Sequence, residues 1–222
     1  MDLEEGFRTL SIQFVPFVMA VVFHEYAHGW VANRWGDTTA RDRGRITLNP
    51  IPHMDPIGTI LFPVLMMVTG VHLLFGWAKP VPIDPSRFRK YRPGLFWVSI
   101  AGVGMNFILA VLSAAAFCAI RVFVPQDFFL AEPLMGMCLA SVTVNYALAI
   151  FNLIPLPPLD GSKIIQSFLS LKATRRYESI ARYSFFILLA LIWTGATQIL
   201  AYPILFFRDI TLYGMATLFH LS

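Results

Sequence analysis

The sequence predicts an all-α integral membrane protein. It has about four full spans plus a re-entrant segment, five or six membrane segments in all, and a small membrane-associated β element. Three observations carry that expectation. Of the 222 residues, 57% are hydrophobic and only 14% are charged, against about 25% charged in an ordinary soluble domain. A water-soluble fold of this size would lack the polar residues to cover its surface. The apolar residues gather in five runs, long enough for membrane segments at about 1.5 Å per residue. The basic residues, which leave a net charge of +4, sit in short clusters between those runs. That is the pattern of cytoplasmic loops and not a nucleic-acid footprint.

Taken in order, the first run spans Leu10 to Val31 and ends at Arg34. The polar stretch GDTTARDRGRITLNP (36–50) follows, and its RITL (45–48) suits a strand. A second run, Ile57 to Ala78, is interrupted by Pro63, Gly70, Gly76 and Pro80 just beyond it. The basic loop KPVPIDPSRFRKYR (79–92) leads to the third run, Leu95 to Val124, long enough to span with tilt. VPQDFFLAEP (124–133) makes a short turn without basic residues. The fourth run, Leu134 to Leu159, ends in NLIPLPPLDG, where Pro155, Pro157 and Pro158 break the helix. Another basic loop, Lys163 to Arg182, precedes a fifth run, Tyr183 to Phe207, and a short amphipathic tail. No internal repeat or appended soluble domain is read, and the acidic start MDLEEGFRTL is unlike a cleavable signal peptide. Residues 1–222 therefore read as one membrane-embedded domain, with a core over 10–170 and a C-terminal span and tail over 183–222. Cys118 and Cys138, both in apolar runs, read as small hydrophobes and not as a disulfide. Trp77, Tyr91 and Trp97 read as an aromatic belt.

Orientation follows from the basic residues. If the clusters 34–45, 79–92 and 163–182 all face the cytoplasm, 14 of the 17 Lys and Arg residues lie inside, leaving out Arg8, Arg121 and Arg208. The loops at 34–50 and 79–92 then share a side, so the second run cannot cross once. Ile57–Gly70 is expected to enter as a short helix and Val71–Pro82 to return partly extended. Non-helical backbone at that depth has to line a wet cavity or be buried in protein. An ordinary five-span count is the alternative, and it leaves one basic loop outside.

The chemistry is concentrated in FHEYAHGW (23–30). His24 and His28 are four residues apart and so project from one helical face. Two imidazoles at that spacing grip one Zn²⁺, with the intervening Glu25 placed to act as a base toward a metal-bound water. A pair of core histidines with a stray glutamate is the bland reading. It must explain an acid inside a span, which costs roughly 2.5–3.5 kcal/mol on insertion scales. Catalytic zinc takes three protein ligands and keeps one open position. Asp160 is the other carboxylate in or at the edge of a complete span. The predicted orientation places it at the depth of His24 and His28.

HEYAH (24–28) on the first span and NLIPLPPLDG (152–161) on a later one together resemble the site-2 protease family of intramembrane zinc metalloproteases. GRITLNPIPHMDPIGT (44–59) and FGWAKPVPIDPSRF (75–88) are similar to its compact bacterial and archaeal members, and the likeness covers roughly residues 10–170. The resemblance implies that His24, His28 and Asp160 bind one Zn²⁺ per chain and that Glu25 is the general base. It also implies that Asn152, within Asn-x-x-Pro, binds substrate or stabilises the oxyanion; a capping or interhelical hydrogen bond is the other reading. It further implies a multi-pass protein of the cell membrane with its active site toward the cytoplasm. Its partners would be the lipid bilayer and membrane-protein substrates with a transmembrane helix, not nucleic acid.

Where the family often has Gly-Pro-x-x-Asn, residues 101–106 read AGVGMN, with Val103 in the proline position. Gly102 and Gly104 still allow close helix approach, and Asn106 either packs there or hydrogen-bonds near the site. His53 is a loop histidine, or else a group that supports the site or touches substrate. His72 and His220 have no assigned role. Phe75–Pro82 and 45–48 are candidate strand edges for capturing an unwound substrate by β-addition. A transporter lined by the same polar residues is the competing class, and a catalytically silent relative is weakened by the presence of every core residue.

Overall fold

A computed structural model describes residues 3–61, 65, 78–125 and 127–221. The first helix, α1 (Leu3–Trp35), takes in the whole first apolar run. The third and fourth runs become α2 (Tyr91–Phe123) and α3 (Ala131–Asn152). Shorter helices follow: α4 (Asp160–Phe168), α5 (Leu171–Glu178) and α6 (Ser184–Trp193), then α7 (Ala201–Leu218). The described residues are helical or irregular, without strands. Among the described residues, three stretches are long and apolar enough to cross a membrane: Tyr91–Phe123, Ala131–Asn152 and Ala196–Leu218.

α2 is the centre of the bundle, packed against α1, α3, α4 and α7. Its sequence explains this. Gly102, Asn106, Ala110, Ala114 and Cys118 recur every fourth residue and are all buried. Side chains this small let helix backbones approach closely, which drives helix association where lipid removes the hydrophobic contrast. Ala110 and Ala114 meet Val142, Tyr146 and Ile150 of α3, with Phe107 and Phe207 against the cluster. Tyr146 also exchanges a 2.6 Å hydrogen bond with Thr211 of α7. At the other end, Ala32 of α1 packs with Phe88, Leu95 and Val98.

Contacts fix the direction of each helix. His24 meets Asn106 and His28 meets Val98, so α1 and α2 run antiparallel. Asn106 meets Asn145 and Ser113 meets Ser141, so α2 and α3 do too. The chain therefore leaves α1 and enters α2 at one end of the bundle, where the Arg89 amide donates to the Trp35 carbonyl at 2.8 Å. The Lys79 amide donates to the His53 carbonyl at 2.9 Å, so the two ends of the intervening stretch lie side by side. This excursion starts with a π-type turn, Pro56–Leu61. Most of the expected return segment, with His72, Trp77 and the start of the Phe75–Pro82 strand, lies outside the described residues.

Two expectations are corrected. The RITL stretch (45–48) is irregular, not a strand. Local partners take the backbone at both ends of it: Arg45 N–H donates to the Ala40 carbonyl, Asn49 N–H to Thr47 Oγ1, and Ile51 N–H to Asn49 Oδ1. Such short-range partners compete with a sheet ladder. The fifth run, Tyr183–Phe207, is not one helix. It breaks at Gly195, whose φ of +74° is left-handed, a conformation glycine adopts without a Cβ clash. The residues expected as an amphipathic tail (208–222) instead mostly continue α7. Cys118 and Cys138 are free thiols, as expected.

Candidate metal centre

Three elements converge where α1 crosses α2. His24 and His28 lie one turn apart on α1 and both are buried. Asp160 is buried at the first residue of α4. It is carried there by the break after α3: the prolines end that helix, and the chain turns back onto its last turn. Gly161 makes this possible, because any Cβ there would run into the Leu153 carbonyl.

The donor atoms form a nearly equilateral triangle. His24 Nε2 and His28 Nε2 are 3.0 Å apart, and Asp160 Oδ2 is 3.2 Å from the first and 3.1 Å from the second. Two ligands at about 2.0–2.1 Å from a tetrahedral zinc lie roughly 3.3 Å from each other. The triangle is thus one face of a zinc tetrahedron, a little contracted.

The outer hydrogen bonds decide which nitrogens face inward with a lone pair. His28 Nδ1 donates to the Val98 carbonyl at 2.7 Å, and a carbonyl can only accept. His24 Nδ1 donates to Asn106 Oδ1 at 2.6 Å. With Nδ1 committed to these bonds, Nε2 is the nitrogen each imidazole offers as a ligand atom toward the carboxylate. Three such atoms at this range call for a shared proton or cation among them. Space is kept beside them by Gly102. A Cβ at that position would fall 2.7 Å from His24 Nε2 and closer still to His28 Nε2. The donor set, its tautomers and the glycine cradle all fit a zinc ion.

Asp160 is held by its second oxygen as well, with Lys163 Nζ 3.5 Å from Oδ1. Glu25 stands between the two histidines in sequence and is half-buried. Its Oε2 accepts the Val81 amide at 2.6 Å, so the chain segment after residue 78 lies across the general-base candidate. That segment is anchored on both sides. Arg45 donates to the Lys79 carbonyl at 2.8 Å, and the buried Asp37 takes the Asp84 amide on Oδ2 at 2.7 Å. The carboxyl of Asp84 is held below its usual range, first by the Ser86 hydroxyl and amide.

The remaining sequence candidates separate. Asn152 is the last residue of α3, and its amide donates to the Leu148 carbonyl at 3.0 Å. Asn106, for which packing and a hydrogen bond near the site were both open, bonds directly to His24. His53 is buried and its Nε2 bonds to the Thr47 carbonyl, so it is no solvated loop residue. Gly104 has open space around it and plays no part in the close approach that Gly102 provides. Asn145, 1% exposed and bonded to Asn106, did not emerge from sequence reading. Its signal was available: an amide inside an apolar run is costly, and it lies seven residues before Asn152 on the same helical face.

Residues 130–194 match the model of peptidase family M50. The chain is 34% identical over 192 residues to a Bacillus subtilis (strain 168) protein named "Putative zinc metalloprotease YwhC", covering 86% of this chain and 84% of that one. Proteins named "Putative zinc metalloprotease Rip2" are also similar. The one from Mycolicibacterium smegmatis is 27% identical over 180 residues, 81% of this chain and 66% of its own length. Its Mycobacterium tuberculosis (strain H37Rv) counterpart is 27% identical over 179 residues, with 79% and 64% covered. No solved structure matches the chain.

Proposed function

Since the chain belongs to peptidase family M50, we propose that this metalloprotease works within the membrane, as a site-2-type endopeptidase. Its substrates are membrane proteins, cut in or next to their transmembrane segments. The observation that carries the reading is the triangle of His24, His28 and Asp160, packed beside Gly102 of the apolar helix α2.

One zinc ion per chain would be held by His24 Nε2, His28 Nε2 and Asp160 Oδ2. Zinc at such a site supplies a Lewis acid and makes water ionisable near neutral pH. Glu25 accepts the proton of the attacking water on one carboxylate oxygen, while the other keeps the Val81 amide. It then passes that proton to the leaving amine. Asn152 turns its amide from the Leu148 carbonyl to donate to the developing oxyanion.

The site lies toward one end of the bundle. His28 is seven residues from the end of α1, about 10 Å at 1.5 Å per residue. The loops at this end carry most of the Lys and Arg residues, which supports a cytoplasmic placement. The bond between Lys79 and His53, which brings the two ends of the intervening stretch together, supports the re-entrant reading. An extended substrate would line up along the segment after residue 78.

The test is cleavage of single-span substrates by purified protein in detergent, with the cut bonds mapped by mass spectrometry. Cuts in or beside the apolar span that stop on adding a zinc chelator are expected. Cleavage that survives the chelator, or falls only in soluble flanks, overturns the proposal.

A further inference from the structure

Behind His24, a line of amides and hydroxyls crosses all three long helices. Asn106 Oδ1 accepts from His24 Nδ1 at 2.6 Å. The Asn106 Nδ2 group donates to Asn145 Oδ1 at 2.8 Å and to the Ala20 carbonyl at 3.2 Å. Asn145 Nδ2 in turn donates to the Ser141 carbonyl at 2.9 Å and to Ser141 Oγ at 3.2 Å, and Ser141 Oγ meets Ser113 Oγ at 2.7 Å. Asn106 and Asn145 are 0% and 1% exposed, so neither finds water instead.

An amide is nearly symmetric in shape but not in chemistry, since one arm accepts and the other donates. Were Asn106 flipped, its NH₂ would face His24 and call for a lone pair on Nδ1. The histidine proton would then move to Nε2, and Nε2 could not hold a cation. The orientation of Asn106 thus decides whether His24 is a ligand. Asn145 presents the closer of the two acceptors on the NH₂ side, and its own orientation is fixed by the Ser141 carbonyl, which can only accept.

We infer that Asn145 is a positioning residue of the metal centre: it holds the Asn106 amide in the one orientation that leaves His24 Nε2 free for zinc. This rests on the zinc reading proposed above. It makes α3 a contributor to the site well before Asn152.

The experiment measures zinc Kd of detergent-purified protein by competition with a chromophoric chelator, alongside the thermal midpoint of the metal-free form. Asn145→Leu is expected to weaken zinc about tenfold, and Asn106→Ala by about 10–100-fold, the range for outer partners of a metal ligand. The double variant should bind no more weakly than Asn106→Ala alone, because no amide remains to be oriented. Asn145→Asp, protonated in this apolar setting, can still accept from Asn106 and donate to Ser141. It should restore affinity to within a few-fold of wild type. Should Asn145→Leu not fold, Asn145→Ser, which withdraws the acceptor, reads the same comparison.

A Kd for Asn145→Leu within twofold of wild type, or a double variant whose losses multiply, overturns the inference while leaving the zinc reading intact. A wild-type protein that binds no zinc overturns both.

Discussion

Gly102→Ala asks most of the described geometry. The added methyl would lie 2.7 Å from His24 Nε2, whereas ordinary contact begins near 3.4 Å, a shortfall of 0.7 Å. His28 Nε2 is closer still, so both rings must move. Each is tied at its far side, His24 to Asn106 and His28 to Val98. Metal sites tolerate about 0.2 Å in ligand distance, so a shift of this size spoils the triangle. Overpacking a tight site costs about 1–3 kcal/mol, which corresponds to roughly 5–150-fold in zinc affinity. Gly104→Ala is the internal control, two residues along the same helix with nothing within 4 Å of its Cβ position. Chelator competition on the two purified variants should show a loss only for Gly102→Ala. A Gly102→Ala protein that binds zinc within twofold of wild type would refute the idea that this glycine keeps the ion's place.

Other outcomes follow from the surroundings of the site. Lys163→Met removes the cation beside Asp160 Oδ1, but Lys163 is partly exposed and the contact long, so zinc Kd should rise by less than about fivefold; a hundredfold loss would make Lys163 far more than an accessory. Asp37→Ala strands the amides of Thr39 and Asp84 and loosens the segment crossing Glu25. It should cost about 1–3 kcal/mol, seen as a lower thermal midpoint with zinc affinity retained; an unchanged midpoint would contradict that role. Tyr146→Phe breaks the α3–α7 hydrogen bond and should cost under about 1 kcal/mol, as interhelical bonds in membranes usually do. A loss of several kcal/mol in unfolding titrations would show that α7 docks chiefly through that hydroxyl.

Much of the site was legible because its signals are local or chemically expensive. His24 and His28 are set by helical periodicity, and Asp160 by being a carboxylate at the edge of a span, at the depth that the basic loops imply. α2 and α3 followed from apolar run length. Features decided by contacts between distant residues were not legible. Nothing in residues 20–30 announces that Val81 donates to Glu25, 56 positions away. The role of Gly102 is visible only once two imidazoles are placed beside it. RITL has the β-branched residues of a strand, yet the side chains of Thr47 and Asn49 turn the chain just beyond it by bonding the amides of Asn49 and Ile51. Gly195 sits in a run whose hydropathy is continuous, and its positive φ leaves no trace in a hydropathy pattern.

The central claim is that His24, His28 and Asp160 bind the ion while Glu25 moves the proton. Glu25→Gln keeps the shape and all three donors but cannot accept a proton. Zinc content and substrate cleavage, measured on one preparation of this variant, separate the two roles. Zinc at wild-type stoichiometry is expected, with cleavage reduced by about 10²–10⁴-fold. Cleavage near the wild-type rate, or loss of the zinc itself, would contradict it.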